Sequence, residues 1–267
     1  MLTKRIPLYE TNHPYVDTYI LDQIGDARTS CDKCRGAVVV VPGGGYAMTS
    51  DREAEPVAMK FAAAGYHTFV LWYRVKPEKY THPLEDLART VAMIRAHAEE
   101  WRVDPNDISV CGFSAGGHLT ASLGVFWDKP FLSEIVGMDN ECFRPNRLIL
   151  GYPVITSGPK ANRGSFENLT SGDESPWPLL SLENQVNENT PPTFLWHTAS
   201  DEAVPVENSL LFATALSSFH IPYEMHIFPN GPHGQSVAEE IVYKFDPTAF
   251  SPDCAIWTEL AVKWLKK

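Results

Sequence analysis

Several features that mark particular protein classes are missing from this 267-residue sequence. Basic residues are scarce: 22 lysines and arginines stand against 33 aspartates and glutamates, so the formal net charge is −11. That balance argues against binding nucleic acid or an anionic membrane surface through general electrostatics. No stretch approaches the ~20 apolar residues of a membrane span, and polar residues follow Lys4 and Arg5 where a signal peptide requires an apolar run. We therefore expect a cytoplasmic protein without nucleic-acid or membrane partners.

Cysteine is also scarce, and its five copies are an odd number spread thinly along the chain. Cys31 and Cys34 form a C-x-x-C pair, but no second pair of this kind and no histidine pair accompanies it. We therefore expect two unpaired thiols in a surface turn, with no bound metal. The role of these two cysteines stays open, as does the formation of a homo-oligomer.

Short β-branched runs alternate with longer amphipathic stretches, and 44% of the residues are apolar. The predicted strands are Ala37–Val41, His67–Tyr73, Ile108–Gly112, Arg147–Tyr152, Thr193–His197 and Tyr223–Phe228. The predicted helices, in which apolar residues recur at three and four positions, are Ala54–Ala64, Leu84–Glu100, Ala115–Trp127, Val206–Phe219 and Asp253–Leu265. Several strands are apolar nearly throughout, which is typical of a parallel sheet covered on both faces. The alternation predicts a single α/β domain over residues 1–267 with a mostly parallel sheet.

Two segments carry neither pattern: Phe131–Asn146, and Thr156–Pro192 with its many Pro, Gly, Ser and Asn residues. Long loops in a compact domain tend to be functional. We therefore expect both segments to form walls of a binding site.

The strongest local motif is Gly112-Phe113-Ser114-Ala115-Gly116. A G-x-S-x-G sequence between a strand and a helix places its serine on a tight, strained turn with the hydroxyl above the sheet edge. The preceding ISVC reads as a strand and the following HLTASLGVF reads as a helix, so this setting is predicted here. Neither a P-loop nor a G-x-G-x-x-G dinucleotide pattern occurs at this turn. The motif therefore predicts that Ser114 is a nucleophile.

A serine nucleophile of this type is followed along the chain first by an acid and then by a histidine. The histidines after the serine are His118, His197, His220, His226 and His233. Only His233 lies in a loop directly after a predicted strand, at the carboxyl edge of the sheet where active sites of open α/β sheets gather. His118 lies one turn into a helix, and the other three fall within strands or at a helix end. We predict that His233 is the general base.

The acid that would orient this histidine is predicted to be Asp201. It follows the strand TFLWH by a few residues and precedes a helix, again at the carboxyl edge. Glu202 is the neighbouring rival, and Asp173 and Asp246 are weaker ones.

A glycine-rich turn is expected to supply hydrogen-bond donors for the developing oxyanion. The sequence Val41-Pro42-Gly43-Gly44-Gly45-Tyr46 follows an apolar strand, as the corresponding loop does in many esterases. Together with the amide of Ala115, the amides of Gly44 and Gly45 are predicted to surround the oxygen of a tetrahedral intermediate.

With these motifs in place, the chain resembles the α/β-hydrolase fold and, within it, the esterases and lipases related to hormone-sensitive lipase. PGGGY stands where those enzymes carry HGGG, so Pro42 replaces the leading histidine. The chain is most similar to bacterial carbohydrate esterases of the acetyl xylan or feruloyl type. The similarity lies in Ser50–Ala58, Gly65–Val75, Gly112–Leu119, Tyr152–Ser157, Pro191–Thr198, Asp201–Ser209 and the PHG around His233.

The resemblance implies a serine esterase without a cofactor that acts through an acyl-enzyme. It also implies little or no cap domain and a small acyl group such as acetyl, carried by a small ester or an acylated carbohydrate. Four aromatic residues near the motifs are candidates for lining the acyl or alcohol pocket: Tyr46, Phe113, Trp127 and Tyr152. Arg52 and Glu53, next to the glycine-rich turn, are expected to form ion pairs at or near the surface.

Two other functions remain open at this point. An amide hydrolase, such as an aryl formamidase or a small peptidase, would use the same three catalytic residues. A binding protein that had kept the fold would have no need of proton transfer, so the presence of all three residues argues against it.

Overall fold

The computed structural model describes residues 1–11, 13–23, 34–243 and 251–267. The strands are β1 (Leu2–Pro7), β2 (Tyr15–Ile20), β3 (Arg35–Val41), β4 (His67–Trp72), β5 (Val103–Phe113), β6 (Arg147–Gly151), β7 (Thr193–Thr198) and β8 (Tyr223–Phe228). They form a sheet in the order β1-β2-β4-β3-β5-β6-β7-β8. Only the pairs β1·β2 and β2·β4 are antiparallel, and the others are parallel. The predicted mostly parallel α/β sheet is confirmed.

Helices cover both faces of this sheet. They are α1 (Glu55–Ala63), α2 (His82–Ala96), α3 (Ala98–Trp101), α4 (Ser114–Phe126), α5 (Pro130–Val136), α6 (Asn140–Phe143), α7 (Arg163–Thr170), α8 (Trp177–Leu180), α9 (Glu207–Ser218) and α10 (Trp257–Leu265). Apolar residues of α2, α4 and α9 form one core, whereas those of α1 and α10 form the other. Alternate residues of β3 belong to opposite cores: Val39 and Val41 to the first, Val38 and Val40 to the second. A strand buried on both faces needs apolar side chains at every position, which explains its unbroken run of valines.

The structure corrects the sequence-based assignment in several places. Strands β1 and β2 were not predicted, because β1 is an exposed edge strand and β2 buries only alternate residues. The predicted helix Leu84–Glu100 is divided between α2 and α3, and the predicted helix Asp253–Leu265 consists of a 3₁₀ turn followed by α10. The two segments left without assignment contain short helices: α5 and α6 in the first, α7 and α8 in the second. Short helices bury too few residues for their periodicity to stand out.

The described residues were searched for membrane-spanning helices and for clusters of metal-binding side chains. Their helices include none that is long and apolar enough to cross a membrane. The same part of the chain contains no group of three or more His, Cys, Asp or Glu side chains placed to hold a metal ion. Cys34 is exposed and free, and Cys31 lies outside the described residues.

Candidate active site

Ser114 lies at the junction of β5 and α4, at the carboxyl edge of the sheet. Its φ of 54° is in the left-handed region, which is strained for a residue with a side chain. The glycines on either side permit this turn: a Cβ on Gly112 would lie 2.2 Å from the Gly116 carbonyl oxygen, and one on Gly116 would lie 2.2 Å from that of Val41. The local sequence therefore forces a sharp turn that presents the serine hydroxyl.

His233 and Asp201 are hydrogen-bonded to this serine in a chain. The His233 Nε2 atom lies 2.8 Å from Ser114 Oγ, and its Nδ1 atom lies 2.6 Å from Asp201 Oδ2. Because an ionised carboxylate only accepts hydrogen bonds, Nδ1 carries the proton, and Nε2 accepts from the serine hydroxyl. Asp201 follows β7 and His233 follows β8, so the parallel strands bring together residues that lie 119 positions apart in sequence.

Asp201 is held as an anion. Its Oδ1 atom accepts hydrogen bonds from the amides of Ala203 and Val204, at 3.0 and 2.9 Å. Burial by itself would raise the pKa of Asp201, but hydrogen bonds from His197 and His233 outweigh it and hold that pKa well below its usual range. The carboxylate therefore stays charged at neutral pH and can stabilise an imidazolium.

The rival acids are placed elsewhere. Glu202 and Asp173 are both exposed, and no contact joins either to His233. Asp246 lies outside the described residues.

The other late histidines have different partners. His118 is buried between Tyr46 and the Leu180 carbonyl, and His197 between Ser209 and the Val204 carbonyl. His226 contacts Glu224, and His220 is exposed at the end of α9. Among these histidines, the structure brings only His233 to the serine hydroxyl.

The glycine loop, residues 42–46, follows β3 and faces the serine. Gly44 and Gly45 have φ values of 130° and 63°, and a Cβ on Gly43 would lie 2.9 Å from the Cβ of Ser114. Within the described residues, the amides of Gly44 and Gly45 donate to no other protein group. The Ala115 amide belongs to the first turn of α4, where backbone N–H groups have no intrahelical acceptor. All three amides are therefore available to a ligand.

A cleft of about 350 Å³ opens beside Ser114 and His233, and we call it the Ser114 cleft. Its lining is completed by Gly44, Gly45, Met48, Ser50, Arg52, Glu53, Asn162, Ser165 and Gly234. Asn162 and Ser165 come from the start of α7, inside the predicted binding-site segment Thr156–Pro192. Grooves of about 740 and 820 Å³ occur elsewhere on the described surface, but neither includes any of the three hydrogen-bonded residues.

The four candidate pocket aromatics are absent from this lining, which corrects that expectation. Phe113 and Tyr152 are buried in one core, and Tyr46 is buried in the other, with its hydroxyl donating to His118. Trp127 follows α4, about 20 Å along that helix from Ser114. Aromatic side chains near the sheet edge were drawn into the core because burying their large apolar area is favourable.

Glu53 was expected to form an ion pair at or near the surface, but it is only 3% exposed and forms no ion pair with the described residues. Its carboxylate instead accepts hydrogen bonds from the Gly43 amide and the Tyr152 hydroxyl. Arg52 is exposed, and its guanidinium lies over the Tyr243 ring. In the sequence, the one signal that could have identified Glu53 is its position next to the glycine loop.

Comparison with known proteins identifies families and relatives that the chain resembles. A family model described as BD-FAE matches residues 28–147, and the model of the prolyl oligopeptidase family matches residues 164–249. The chain is 40% identical over 220 residues to the endo-1,4-beta-xylanase B of Butyrivibrio fibrisolvens, and 32% identical over 206 residues to an acetylxylan esterase of Xylanibacter ruminicola. These alignments cover 78% and 74% of this chain but only 34% and 40% of the two relatives, so the chain spans well under half the length of either.

A solved structure matches over almost the whole chain. It is the acetyl ester-xyloside bifunctional hydrolase of Caldicellulosiruptor lactoaceticus, which is 38% identical with a TM-score of 0.81. The match covers 98% of this chain and 95% of that chain. Its sequence identity and coverage tie the two chains by descent as well as by fold.

Proposed function

Since the chain belongs to the α/β-hydrolase family that includes carboxylesterases and carbohydrate esterases, we propose that it is a serine carboxylesterase that removes small acyl groups, above all acetyl, from an acylated carbohydrate. Ser114 is the nucleophile, His233 the general base and acid, and Asp201 the residue that orients the histidine. The observation that carries this proposal is the chain of hydrogen bonds of 2.8 and 2.6 Å through the two nitrogens of His233.

The first half of the reaction forms an acyl-enzyme. The Ser114 oxygen attacks the ester carbonyl carbon while its proton passes to Nε2 of His233, and the carbonyl oxygen becomes an oxyanion. When the tetrahedral intermediate collapses, the bond to the alcohol oxygen breaks, and His233 donates the proton to the departing alcohol. Asp201 remains ionised and stabilises the imidazolium that exists between these two steps.

The second half releases the acid. Water, deprotonated by His233, attacks the acyl carbon of the acyl-serine and forms a second tetrahedral intermediate. Its collapse breaks the bond to Ser114, whose oxygen recovers the proton from the imidazolium. The chain therefore ends in its starting state, and no redox partner or cofactor enters the balance.

Backbone amides stabilise the charge that develops in both intermediates. The free N–H groups of Gly44, Gly45 and Ala115 are the donors, and the helix dipole of α4 adds positive potential at the same place. Losing one such donor typically lowers kcat by about 10²–10³.

Two observations favour a small acyl group on a carbohydrate. The Ser114 cleft, at about 350 Å³, is near the lower end of ordinary ligand pockets, and amide and hydroxyl groups of Asn162 and Ser165 line it. Such groups suit the hydroxyls of a sugar. The relatives named above include an acetylxylan esterase and an acetyl ester-xyloside hydrolase.

The decisive experiment measures hydrolysis of 4-nitrophenyl esters from acetate to octanoate and of acetylated xylo-oligosaccharides. We expect acetate to have the highest kcat/KM, and a fluorophosphonate to form its adduct on Ser114. Ser114→Ala and His233→Ala should each lower kcat by about 10⁶. Ser217→Ala, which changes an exposed serine on α9, is the matched control and should leave kcat unchanged. No turnover and no adduct would leave the binding-protein alternative, and a preference for long chains would contradict the small acyl pocket.

An amide hydrolase is the second candidate, favoured by the match of residues 164–249 to the prolyl oligopeptidase family. That segment contains Asp201 and His233, which both reactions need. Parallel assays of an N-formyl anilide and of peptide anilides against 4-nitrophenyl acetate separate the two functions. Higher kcat/KM on an amide than on the corresponding ester would replace the esterase proposal.

A further inference from the structure

A buried carboxylate lies directly behind the reacting groups and has no role in the reaction described above. Glu53 ends a 3₁₀ turn at Asp51–Glu53, is 3% exposed, and forms no ion pair with the described residues. Burying an unpaired charge is costly unless hydrogen bonds compensate it. Both of its oxygens are accordingly hydrogen-bonded, and both donors belong to the surroundings of Ser114.

One oxygen is bonded to the glycine loop. Glu53 Oε2 accepts from the Gly43 amide at 2.8 Å, while the Gly43 carbonyl accepts from the Ser50 amide at 2.9 Å. A Cβ built on Gly43 would lie 2.7 Å from Glu53 Oε2 and 2.9 Å from the Cβ of Ser114, so the carboxylate, the loop and the nucleophile touch. The Glu53 bond therefore holds the Pro42–Gly43 peptide at the start of the glycine loop, and the Ser50 bond holds the next peptide, which carries the Gly44 amide.

The other oxygen is linked to the histidine. Glu53 Oε1 accepts from the Tyr152 hydroxyl at 2.6 Å, and the same hydroxyl accepts from the Ser236 amide at 2.8 Å. The Tyr152 ring stands edge-on to the His233 imidazole, with centroids 5.1 Å apart and planes at 74°. Tyr152 has a φ of 36°, a strained conformation for a tyrosine that is kept where the surroundings require it.

We propose that Glu53 is a positioning residue of the esterase, whose carboxylate joins the glycine loop to the His233 loop through Gly43 and Tyr152. This inference rests on the proposed function. One side chain thus sets the distance between the oxyanion donors and the general base, two groups supplied by loops far apart in sequence.

The negative charge of Glu53 has a second effect. The charged and titratable groups near His233 include Asp201 at Nδ1, His197 on the other side of that carboxylate, and Tyr152 against the ring. Arg52, Glu53 and Tyr243 come from the neighbouring turns. Burial and the Glu53 carboxylate together raise the pKa of Tyr152 well above its usual range, so its hydroxyl stays a donor.

The test compares Glu53→Gln with the wild-type chain on 4-nitrophenyl acetate. The glutamine amide can accept only one of the two hydrogen bonds and sets an N–H group against the other donor. We expect kcat to fall about 10- to 100-fold, the loss typical when a partner behind an active-site group is removed, with KM nearly unchanged. A merely structural loss would raise KM as well, so the kcat-against-KM split is the readout that identifies a positioning role.

Two further variants keep the test decisive. Glu55→Gln makes the same change two residues away, on an exposed side chain outside the Ser114 cleft, and should alter neither kcat nor KM. Tyr152→Phe removes the Glu53 link to the His233 side and keeps the Gly43 bond, so it should lower kcat less than Glu53→Gln does. It also answers the question if Glu53→Gln does not fold.

Each result has one meaning. An active wild-type chain whose kcat and KM are unchanged in Glu53→Gln and Tyr152→Phe would overturn the role of Glu53. So would a fall in kcat accompanied by a matching rise in KM, which indicates general loosening of the fold. Failure of the wild-type chain itself to hydrolyse esters overturns the proposed function instead.

Discussion

His118 is buried behind the glycine loop as a neutral side chain. Its Nε2–H donates to the Leu180 carbonyl at 2.9 Å, and its Nδ1 accepts from the Tyr46 hydroxyl at 2.8 Å. Burial lowers the pKa of His118 from 6.5 to about 4. The residue thereby connects α4, which begins at Ser114, with the residue that ends the glycine loop, and it does so only while it is uncharged.

This burial predicts that stability declines in mild acid. Between pH 6.5 and 4 the unfolded chain binds a proton at His118 that the folded chain does not. The free energy of unfolding therefore decreases as the pH is lowered through this range. Near pH 4.5 the loss from this residue is roughly 2 to 3 kcal/mol. Urea unfolding near pH 6.5 and pH 4.5 measures it. In His118→Gln the difference between the two pH values should be smaller by that amount, whereas His220→Gln, on an exposed residue, should keep the wild-type difference. An unchanged difference in His118→Gln would refute the assignment.

The glycine loop is an element whose shape depends on its own turn and on α7. The Gly44 carbonyl accepts from the amides of Ala47 and Met48, at 3.1 and 3.2 Å. From the other side, the Asn168 side chain of α7 donates to the Gly45 carbonyl at 2.9 Å. The carbonyl groups of Gly44 and Gly45 are thus hydrogen-bonded within the protein, while the N–H groups of the same two residues donate to no other group of the described residues. That division is what an oxyanion site requires.

Alanine substitutions in this loop should differ sharply between neighbouring positions. A Cβ on Gly44 would lie 2.2 Å from the Met48 carbonyl oxygen, whereas one on Gly45 would have only Ser165 Oγ near it, at 3.7 Å. Gly44→Ala must shift the loop and should lower kcat by about 10² or more. Gly45→Ala costs only about 1 to 2 kcal/mol of backbone strain and should change kcat far less. Steady-state kinetics on 4-nitrophenyl acetate compare them, and equal losses would contradict the loop geometry.

At the scale of the whole molecule, the order of strands in the sheet places the three hydrogen-bonded residues of the candidate site away from the edge formed by β1. Ser114, Asp201 and His233 follow β5, β7 and β8, whereas β1 lies at the opposite edge and pairs only with β2. Most of β1 is exposed. Strand β1 therefore covers the hydrogen-bonding edge of β2. Without β1, that edge would be free to pair with other chains.

Removal of residues 1–7 should lower stability without altering turnover. The six paired positions of β1 are lost, so the melting temperature should fall, while kcat and KM on 4-nitrophenyl acetate stay at wild-type values. Arg5→Ala removes the exposed pair with Asp17, worth about 1 kcal/mol or less, and the contact of its guanidinium with the Tyr15 ring, but keeps the strand pairing, so it should change the melting temperature less. Thermal unfolding followed by circular dichroism, with kinetics well below the transition, provides both readouts. A fall in kcat parallel to the fall in stability would show that this edge and the site are coupled.

The sequence by itself determined the features that are encoded locally. The central strands were predicted because a strand buried on both faces is apolar at every position, as β3 is from Val38 to Val41. Ser114, Asp201 and His233 were predicted because each lies within a few residues of the end of a predicted strand, and parallel strands end at one edge. Gly112 and Gly116 were predicted to flank a tight turn because of their spacing around Ser114.

Only the tertiary structure decided which side chains face the cleft and which enter the core. Glu53 and Tyr152 are 99 residues apart, and their hydrogen bond depends on how two loops pack, which no local pattern records. The same holds for Asn162 and Ser165, whose short helix has too few buried residues to be recognised. Trp127 lies in the sequence near the motif but at the far end of α4. The spacing of apolar residues in the sequence predicts whether a segment is a helix or a strand. Whether a given side chain faces the cleft or the core depends on which elements pack against it.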